Sequence, residues 1–268
     1  MKDTQDRKPD VGGGLDRVGV TNLKTPIQTT WGGRRYYFTP KVEMTIDLGG
    51  DRKGVHMSRL IESITEAVGE GSKKPGRSIE EVERRILDVL SRRHRFRRGE
   101  IMMETDMVLQ RKTPVTGRKT AEVHEIEVAV SKEGRRYYKR LKVRVLGNTV
   151  CPHSMEACGR PHIQRAVGEL TVESGYDVRV DLEDMVACVE KSFSAEVYTL
   201  LKTGDESRIV EEMHSNPKFV EDVTRGIISN ARRKFRGCGI KARTVSNESI
   251  HRHDVVAEGS AGGGIHIL

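Results

Sequence analysis

The chain has 268 residues, of which 35% are hydrophobic and 32% charged, a composition typical of a globular protein with one large domain or two ordinary ones. No apolar run approaches the roughly 18 residues that a membrane span requires, and the start, Met1-Lys-Asp-Thr-Gln-Asp-Arg-Lys8, lacks the apolar core of a secretion signal. Four cysteines without such a signal do not make a disulfide framework. We therefore expect a cytoplasmic protein with no membrane partner.

The net charge of +8 favours a polyanionic partner, either nucleic acid or a small phosphorylated substrate. Much of the positive excess lies in residues 92–98 and 232–236, each at the C-terminal end of a helical pattern, where cations also stabilise the helix dipole. Aromatic residues make up only 4% of the chain, which argues against a surface for stacking single-stranded bases.

The first half of the chain is predicted to alternate strands and helices after a disordered tail at residues 1–15. Ser78 with Glu81 three residues later is a helix-capping pattern, and Gly99 ends the helix that follows. In chain order the predicted elements are strand 42–48, helix 60–69, the helix from Ser78, and strands 101–109, 124–130 and 141–146.

The second half is predicted to repeat the order strand, helix, helix, strand, although no repeat of the residues themselves is visible. Asp181 is a predicted helix cap, and Asn216-Pro217 is predicted to begin the next helix, because Pro suits the first helical position. The strand predictions are 170–180 and 240–245.

Between the halves lies a predicted loop that contains a thiol and an imidazole, Cys151 and His162, beside Arg160 and Arg165. Thiolate and imidazole suit Zn(II) or Fe(II), and loops on a rigid sheet are common places for chemistry. A Cys and a His at this spacing also arise often by chance, so the pair alone does not establish a metal site.

Two further polar clusters are candidates. His251 and His253 would lie on the same side if their segment is extended, either as ligands or as a solvated pair. Residues 194–198 include Glu196 and precede several acidic residues, among them Glu211; acidic residues that open helices also simply favour the helix dipole.

Taken together, these clusters resemble the type IB GTP cyclohydrolase family, and in particular its archaeal branch, which begins pterin biosynthesis for folate or methanopterin. The matching blocks occur in the family's order between about residues 18 and 257. They are Gly54-Val-His-Met-Ser-Arg59, Thr149-Val-Cys-Pro-His-Ser154, His162-Ile-Gln-Arg165, Glu196-Val-Tyr-Thr-Leu-Leu-Lys202, Asn216-Pro-Lys-Phe-Val-Glu-Asp222 and Glu248-Ser-Ile-His251.

The resemblance implies an α+β tunnelling fold with two consecutive modules, each an antiparallel sheet with helices on one face. The modules would span residues 16–150 and 151–268, with most of the metal site in the second. Such modules associate into barrels, so the resemblance also implies a homo-oligomer, a dimer or tetramer, with active sites at subunit interfaces.

The resemblance further implies one catalytic divalent metal, surrounded by Cys151, His162, Glu196 and His251. Glu248 would anchor guanine, because a carboxylate can accept hydrogen bonds from its N1–H and 2-amino group. Candidates for the chemistry are Cys151, Glu211 and His153. Residues implied to contact the substrate, mainly its triphosphate, are Arg165, Arg160, Arg59, Lys53 and, with a structural hydrogen bond as the alternative role, His56.

The sequence departs from the bacterial members at two positions, since His153 replaces a second Cys and Ile163 replaces an Asn. The Cys-Pro-His-Ser pattern resembles the archaeal branch. It therefore implies GTP as substrate, Fe(II) as the metal with Mn(II) or Zn(II) as alternatives, and 7,8-dihydroneopterin 2′,3′-cyclic phosphate as product. The triphosphate product of the folate-type enzymes remains the alternative.

Two other functions remain open at this point. A related tunnelling-fold nitrile reductase would use Cys151 as a covalent nucleophile and a nicotinamide cofactor, but no Gly-rich dinucleotide motif is present. A basic, zinc-stabilised nucleic-acid-binding module would need a second Cys or His pair at finger-like spacing, which is absent. We therefore expect no nucleic-acid partner.

Overall fold

The computed structural model describes residues 3–31, 34–73 and 76–262. The chain forms two compact units. Among the described residues, unit 1 contains those up to Thr105 and Glu127–Arg140, and unit 2 contains Asp106–Ile126 and the residues from Leu141 to Gly262. Three long strands contribute residues to both units, so this division does not correspond to a single boundary in the sequence. It does not test the predicted module boundary at residue 150, which stays a prediction.

Within its described residues, unit 1 contains an antiparallel sheet with strand order β1-β4-β5-β6-β7, a separate β2–β3 hairpin, and two α-helices. Its complete elements are β1 (Leu15–Lys24), β2 (Ile27–Trp31), β3 (Arg34–Phe38), β4 (Lys41–Leu48), α1 (Met57–Lys73) and α2 (Ile79–Arg93). It also holds the unit 1 residues of β5 (Arg98–Lys112), β6 (Lys119–Glu133) and β7 (Arg136–Val150).

Two local signals in unit 1 act as predicted, but the prediction that Gly99 ends α2 was wrong. The helix ends at Arg93, because His94 adopts an extended backbone conformation, and Gly99 lies within β5. Ser78 caps α2, where its hydroxyl oxygen accepts a hydrogen bond from the Glu81 amide at 3.3 Å. Alternate residues of β4 are buried, among them Val42, Met44 and Ile46, because successive side chains of a strand face opposite sides of its sheet. The apolar face of α2 and this face of β4 supply the core of the unit.

The segment predicted as a disordered tail is described from residue 3 and contains a short 3₁₀ turn, Thr4–Asp6. The Lys53 amide donates hydrogen bonds to the carbonyl oxygens of Gln5 at 3.0 Å and Arg7 at 2.8 Å. This part of the chain therefore has defined backbone contacts within unit 1.

In the part of the chain that the structure describes, unit 2 is an antiparallel sheet with order β5-β6-β7-β8-β9-β10, accompanied by four helices. Besides its residues of β5, β6 and β7, its elements are α3 (Pro152–Cys158), β8 (Ile163–Gly175), α4 (Leu182–Glu190), α5 (Thr203–Ser215), α6 (Val220–Lys234), β9 (Gly239–Ser246) and β10 (Val255–Ala261).

Two of these helices lie directly on the sheet at β8. A β-carbon at Gly168 would come within 2.6 Å of Val189 on α4 and 3.2 Å of Ile227 on α6, so only glycine permits this approach. Val189 and Ile227 are fully buried. The confirmed architecture is thus α+β, with antiparallel sheet and helices packed on one side.

Three further local predictions were wrong. Asn216 ends α5 and does not begin α6, because its side-chain amide donates to the carbonyl oxygens of Phe193 and Ser194. The strand predicted at 170–180 begins earlier, at Ile163. The predicted loop contains the short helix α3.

Within the described residues, no helix is both long and apolar enough to cross a membrane.

Candidate active site

The site begins where β7 ends, at Cys151. The backbone amide of Cys151 donates to the carbonyl oxygen of His162 at 3.2 Å, so the predicted thiol and imidazole belong to neighbouring, paired residues. Cys151 also caps α3, with its Sγ accepting from the Ser154 amide at 3.4 Å. Pro152 occupies the first turn of this helix, where its missing N–H costs nothing.

Ser154 ties the two candidate ligands together. Its hydroxyl donates to the Cys151 carbonyl oxygen and accepts from the His162 amide, each at 3.2 Å. Gly159, with φ of 67°, ends α3 in the left-handed conformation and lets the chain turn back towards His162. The Cys-Pro-His-Ser block is therefore a local fold that holds Cys151 beside His162.

Behind His162 lies a hydrogen-bond network centred on Gln164, the second residue of β8. The Gln164 side-chain amide contacts three groups: His162 Nδ1 at 2.8 Å, Thr149 Oγ1 at 3.0 Å and Glu248 Oε1 at 3.2 Å. Thr149 in turn contacts the Ser246 hydroxyl at 3.0 Å. This network brings Glu248, the predicted guanine anchor, next to the imidazole of His162.

Glu248 follows the end of β9 and is mostly buried, with 10% of its side chain exposed. Its Oε2 atom lies 3.7 Å from His162 Nδ1. The Asn247 amide donates to the carbonyl oxygen of Arg165 at 2.9 Å, which extends the pairing of β8 and β9 by one step. The pairing of β8 and β9 thus determines the distance between Glu248 and His162.

Glu196 lies in a segment that is attached to the same end of β7. The Phe193 ring packs against Gly147, and the amides of Ser194 and Ala195 donate to the backbone and side-chain oxygens of Asn148 at 3.1 Å each. Asn148 lies on β7, three residues before Cys151. The strand that leads to the thiol therefore also anchors the segment that contains Glu196.

Lys218 secures that segment from a second direction. Its Nζ donates to the carbonyl oxygens of Ser192 at 3.1 Å and Phe193 at 2.9 Å, while its amide donates to Val150 at 3.0 Å. Burial lowers the pKa of Lys218, although the carboxylates of Asp222 and Glu212 act in the opposite direction. The Asn216-Pro-Lys block is therefore part of the support of the site.

Glu196 and Arg165 both line a cavity of about 520 Å³ within unit 2. His124, Glu190 and Tyr198 are among its other lining residues. The Tyr198 hydroxyl donates to Glu196 at 2.8 Å. An opening of this size that contains carboxylates, an imidazole and a guanidinium is suited to a polar ligand with a charged group.

Burial controls the titrating groups of this cavity. It lowers the pKa of His124, whose Nε2 has no hydrogen-bond partner among the described residues. It raises the pKa of Glu190 against the opposing effect of Arg111, which contacts Glu190 at 2.9 Å. Burial and the hydrogen bond to Glu196 raise the pKa of Tyr198. The cavity therefore favours a neutral imidazole and a neutral phenol.

Several predicted residues are exposed in unit 2: His153, Arg160, Arg165, Glu211 and His251. The condition of an extended segment is not met, because residues 249–253 bend between β9 and β10, and His251 lies in this bend. There its ring stacks on His253, with 5.1 Å between ring centroids.

The other predicted substrate contacts, Lys53, His56 and Arg59, belong to unit 1. Lys53 pairs with Asp10 at 2.7 Å, and the Arg59 amide donates to the His56 carbonyl oxygen at 3.0 Å. His56 Nε2 lies 3.5 Å from Asp6 Oδ2.

His56 also joins Asp3 and Asp6 in a group whose ligand atoms all lie within 4.8 Å of one another. Among the described residues, this is the only group in which three or more metal-ligating side chains lie this close together. The four predicted ligands therefore do not form such a group within one chain. The predicted ligand set stays a prediction.

Cys151 and His162 fit a divalent metal on chemical grounds. Since Nδ1 of His162 is engaged by Gln164, its Nε2 is the nitrogen left to bind a metal, an arrangement common in metal sites. Sequence reasoning missed Gln164, Lys218 and His124 as contributors. Gln164 and Lys218 lie inside the matched blocks, and this position could have identified them as site residues. Nothing in the local sequence distinguishes His124.

Solved structures with a similar fold are uricases. The uricase from Arthrobacter globiformis has a TM-score of 0.56 and 11% sequence identity, covering 94% of this chain and 95% of that chain. A hyper-thermostable uricase mutant has a TM-score of 0.58 at 10% identity, with 94% of each chain covered. At such low identity the similarity shows the fold alone.

The family model described as Type I GTP cyclohydrolase folE2 matches residues 1–257, and the chain belongs to this family of enzymes, whose substrate is GTP. The GTP cyclohydrolase MptA of Pyrococcus abyssi is 49% identical over 261 residues, covering 96% of this chain and 98% of the relative. The GTP cyclohydrolase MptA of Thermococcus kodakarensis is 45% identical over 262 residues, again covering 96% and 98%. The family assignment leaves no support for the nitrile reductase or nucleic-acid-binding alternatives.

Proposed function

We propose that this enzyme is a metal-dependent GTP cyclohydrolase of methanopterin-type pterin biosynthesis. It hydrolyses GTP at C8, releases formate and forms 7,8-dihydroneopterin 2′,3′-cyclic phosphate with loss of diphosphate. The observation that carries the metal dependence is the pairing of Cys151 with His162, in which the Nδ1 of the imidazole is already engaged. The cyclic product is supported by the Cys-Pro-His-Ser block and by the similarity to proteins named MptA.

Cys151 and His162 would hold the metal, together with Glu196 and His251. A divalent ion bound there would supply a Lewis acid that lowers the pKa of water to about 7. Thiolate, imidazole and carboxylate donors are compatible with Fe(II), which we propose as the native metal, and with Mn(II) or Zn(II). The 2.8 Å hydrogen bond between Tyr198 and Glu196 would orient one carboxylate oxygen and leave the other for the ion.

Glu248 would bind guanine by accepting hydrogen bonds from N1–H and the 2-amino group. Its Oε1 is engaged by Gln164, and no hydrogen bond to its Oε2 is formed among the described residues. Arg165 and Arg160 would contact the phosphates. Lys53 and Arg59, which belong to unit 1, are further candidates for phosphate contacts in the proposed oligomer. His56 would contribute to the same substrate contacts.

The residues that move protons would act on the purine itself. Attack of water at C8 opens the imidazole ring of guanine to a formamide, and a second hydrolysis releases formate. Glu211 is the candidate that gives and takes protons in these steps, and His153 is the candidate that assists it. Both side chains are exposed in the single chain, where a bound substrate or a second subunit could contact them.

A homo-oligomer, dimer or tetramer, with active sites at subunit interfaces is part of the proposal, as is the tunnelling fold. Its first support is that His251 and Glu211 are exposed in one chain. The second is that, among the described residues, β10 pairs only with β9 in unit 2, and β1 pairs only with β4 in unit 1. Such edge strands can pair with another copy. A cytoplasmic location matches the four free thiols.

The test is an anaerobic assay of chelator-stripped protein reloaded with Fe(II), Mn(II) or Zn(II) and supplied with GTP. We expect formate and a pterin with the mass of the cyclic phosphate. A triphosphate product would assign the folate-type reaction instead, and no formate with any of the metals from folded protein would refute the proposal.

Two cysteine variants make the assay specific for the site. Cys151→Ser should abolish formate release and lower metal content. Cys158→Ser is the matched control, because Cys158 is an exposed thiol of the same short helix with no proposed role. Light scattering of the wild type would measure the oligomer, and a monomer that is fully active would contradict interfacial sites.

A further inference from the structure

The amide of Gln164 faces two groups whose chemistry differs, and this settles its orientation. Glu248 is a carboxylate and can only accept hydrogen bonds, so the NH₂ group of Gln164 must point to Glu248 Oε1, 3.2 Å away. The same NH₂ group donates to Thr149 Oγ1 at 3.0 Å. The carbonyl oxygen of Gln164 is therefore the atom 2.8 Å from His162 Nδ1.

This orientation also determines the tautomer of His162. A carbonyl oxygen accepts, so Nδ1 must carry a hydrogen, and in the neutral imidazole Nε2 then presents its lone pair. The nearby Glu248 Oε2, 3.7 Å from Nδ1, favours the same placement of the hydrogen. A neutral imidazole binds a metal only through a nitrogen without hydrogen.

The position of Gln164 is rigid. It is 9% exposed, and the hydroxyl that receives one of its N–H groups, Thr149, is 1% exposed and contacts Ser246, which is also 1% exposed. These residues come from β7, β8 and β9, so three neighbouring strands hold one amide in place. Replacement of any one partner would leave a buried polar group unpaired.

We propose that Gln164 is a positioning residue that serves the metal site and the guanine site at once. Its oxygen selects the metal-binding tautomer of His162, and its NH₂ group orients Glu248 so that Oε2 is directed to the base. The inference rests on the proposed roles of His162 and Glu248. It extends them by making metal affinity and GTP recognition depend on two different atoms of one side chain.

Two substitutions distinguish the role of the Gln164 side-chain oxygen from that of its NH₂ group. Gln164→Glu keeps an oxygen for His162 Nδ1–H but replaces the donor to Glu248 with a second acceptor. Gln164→Leu removes both contacts at nearly the same volume. Gln110→Leu, an exposed position on β5 in the same unit, is the control for the substitution itself.

Metal affinity is measured without GTP, by competition of the stripped protein with a chromophoric chelator for Zn(II). For Gln164→Leu we expect a loss of about 10- to 100-fold, the usual effect of removing a group that orients a metal-bound histidine. Gln164→Glu should stay within about threefold of the wild type on the same reasoning. The control should bind like the wild type.

GTP recognition is measured as KM and kcat at saturating metal. Both Gln164 variants should raise KM about tenfold or more, the effect of a lost or repelled hydrogen bond at a charged group. Gln164→Glu should show this change without the loss of metal affinity. Thermal melting of the stripped proteins identifies any variant that fails to fold.

Equal loss of metal affinity in Gln164→Glu and Gln164→Leu would overturn the proposal, because it would indicate a merely structural role. Unchanged Zn(II) affinity and KM in Gln164→Leu would overturn it as well. A failure of the underlying function would look different, since the wild type itself would then not bind metal or not release formate.

Discussion

The ring of Phe193 lies against the backbone of Gly147, in the space where any other residue would place its β-carbon. Phe193 is 2% exposed, and the segment that follows it leads to Glu196. This single contact therefore links a glycine of β7 to the placement of a predicted metal ligand. It explains why a sheet residue with no reactive group matters to the site.

Gly147→Ala should destabilise the protein by about 1–3 kcal/mol, the usual cost of forcing an atom into a packed core. It should also lower formate release by more than the destabilisation alone accounts for, because residues 193–196 must shift. Urea unfolding and the formate assay measure the two effects. Gly175→Ala is the control, since a β-carbon there would meet nothing within 4 Å. Equal effects of both variants would contradict this interpretation.

Glu83 on α2 is fully buried in unit 1, and neither carboxyl oxygen has a hydrogen-bond partner among the described residues. Burial, with smaller contributions from Glu80 and Glu100, raises its pKa well above the usual 4.5. The folded protein therefore keeps a proton that the unfolded chain releases. The stability that this proton provides is present below about pH 4.3, the unfolded-state pKa, and is lost as the pH rises towards the folded-state pKa.

The substitution Glu83→Gln removes the loss of stability that ionisation of Glu83 causes at high pH. At pH 8 the variant should be more stable than the wild type by on the order of 1–3 kcal/mol, the cost of an unpaired buried polar group, and the gain should disappear near pH 4. Urea unfolding at both values measures it. Glu133→Gln, an exposed residue of β6, is the control. A gain that does not change with pH would show that charge is not the cause.

Asp205 opens α5 and is completely buried. Burial by itself would raise its pKa, but hydrogen bonds from the Thr116 hydroxyl and from the amides of Thr116, Val115 and Lys202 outweigh it and hold the pKa well below 3.8. The stability contributed by this carboxylate is present above about pH 3.9, the unfolded-state pKa, and is lost as the pH falls through the folded-state value.

Asp205→Asn should lower Tm by several degrees at pH 7, since an amide cannot accept from four donors. The difference from the wild type should narrow as the pH falls from 5 to 3. Thermal melts monitored by circular dichroism measure this. Asp177→Asn, in an exposed turn of unit 2, should change Tm little at any pH. A difference that widens in acid would reverse the predicted sign.

The stacked pair of His251 and His253 permits a matched test of the metal set. Both rings are exposed and occupy the same bend, so their structural contributions are similar. Only His251 is a proposed ligand. His251→Ala should lower Zn(II) affinity and formate release by at least about tenfold, and His253→Ala should leave both within about twofold. Equal losses in the two variants would remove His251 from the proposed set.

Much of the protein is readable from the sequence because the responsible forces are local. The cap of α2 at Ser78, the cap of α4 at Asp181 and the alternation of β4 each depend on residues within a few positions of one another. Asn216 shows where local reasoning fails. Its sequence is that of a helix start, but the carbonyl oxygens that it contacts lie 22 and 23 residues away.

The sequence by itself determined the family, since the order of the motifs is a property of the chain. Through the family resemblance it also gave the α+β class and the candidate ligands Cys151 and His162. Only the tertiary structure decided that Gln164 joins His162 to Glu248, 84 residues beyond Gln164 in the chain. It also decided that Phe193 needs a glycine at position 147. The physical reason is that hydrogen bonds and packing contacts act over a few ångströms in space, whatever the separation along the chain.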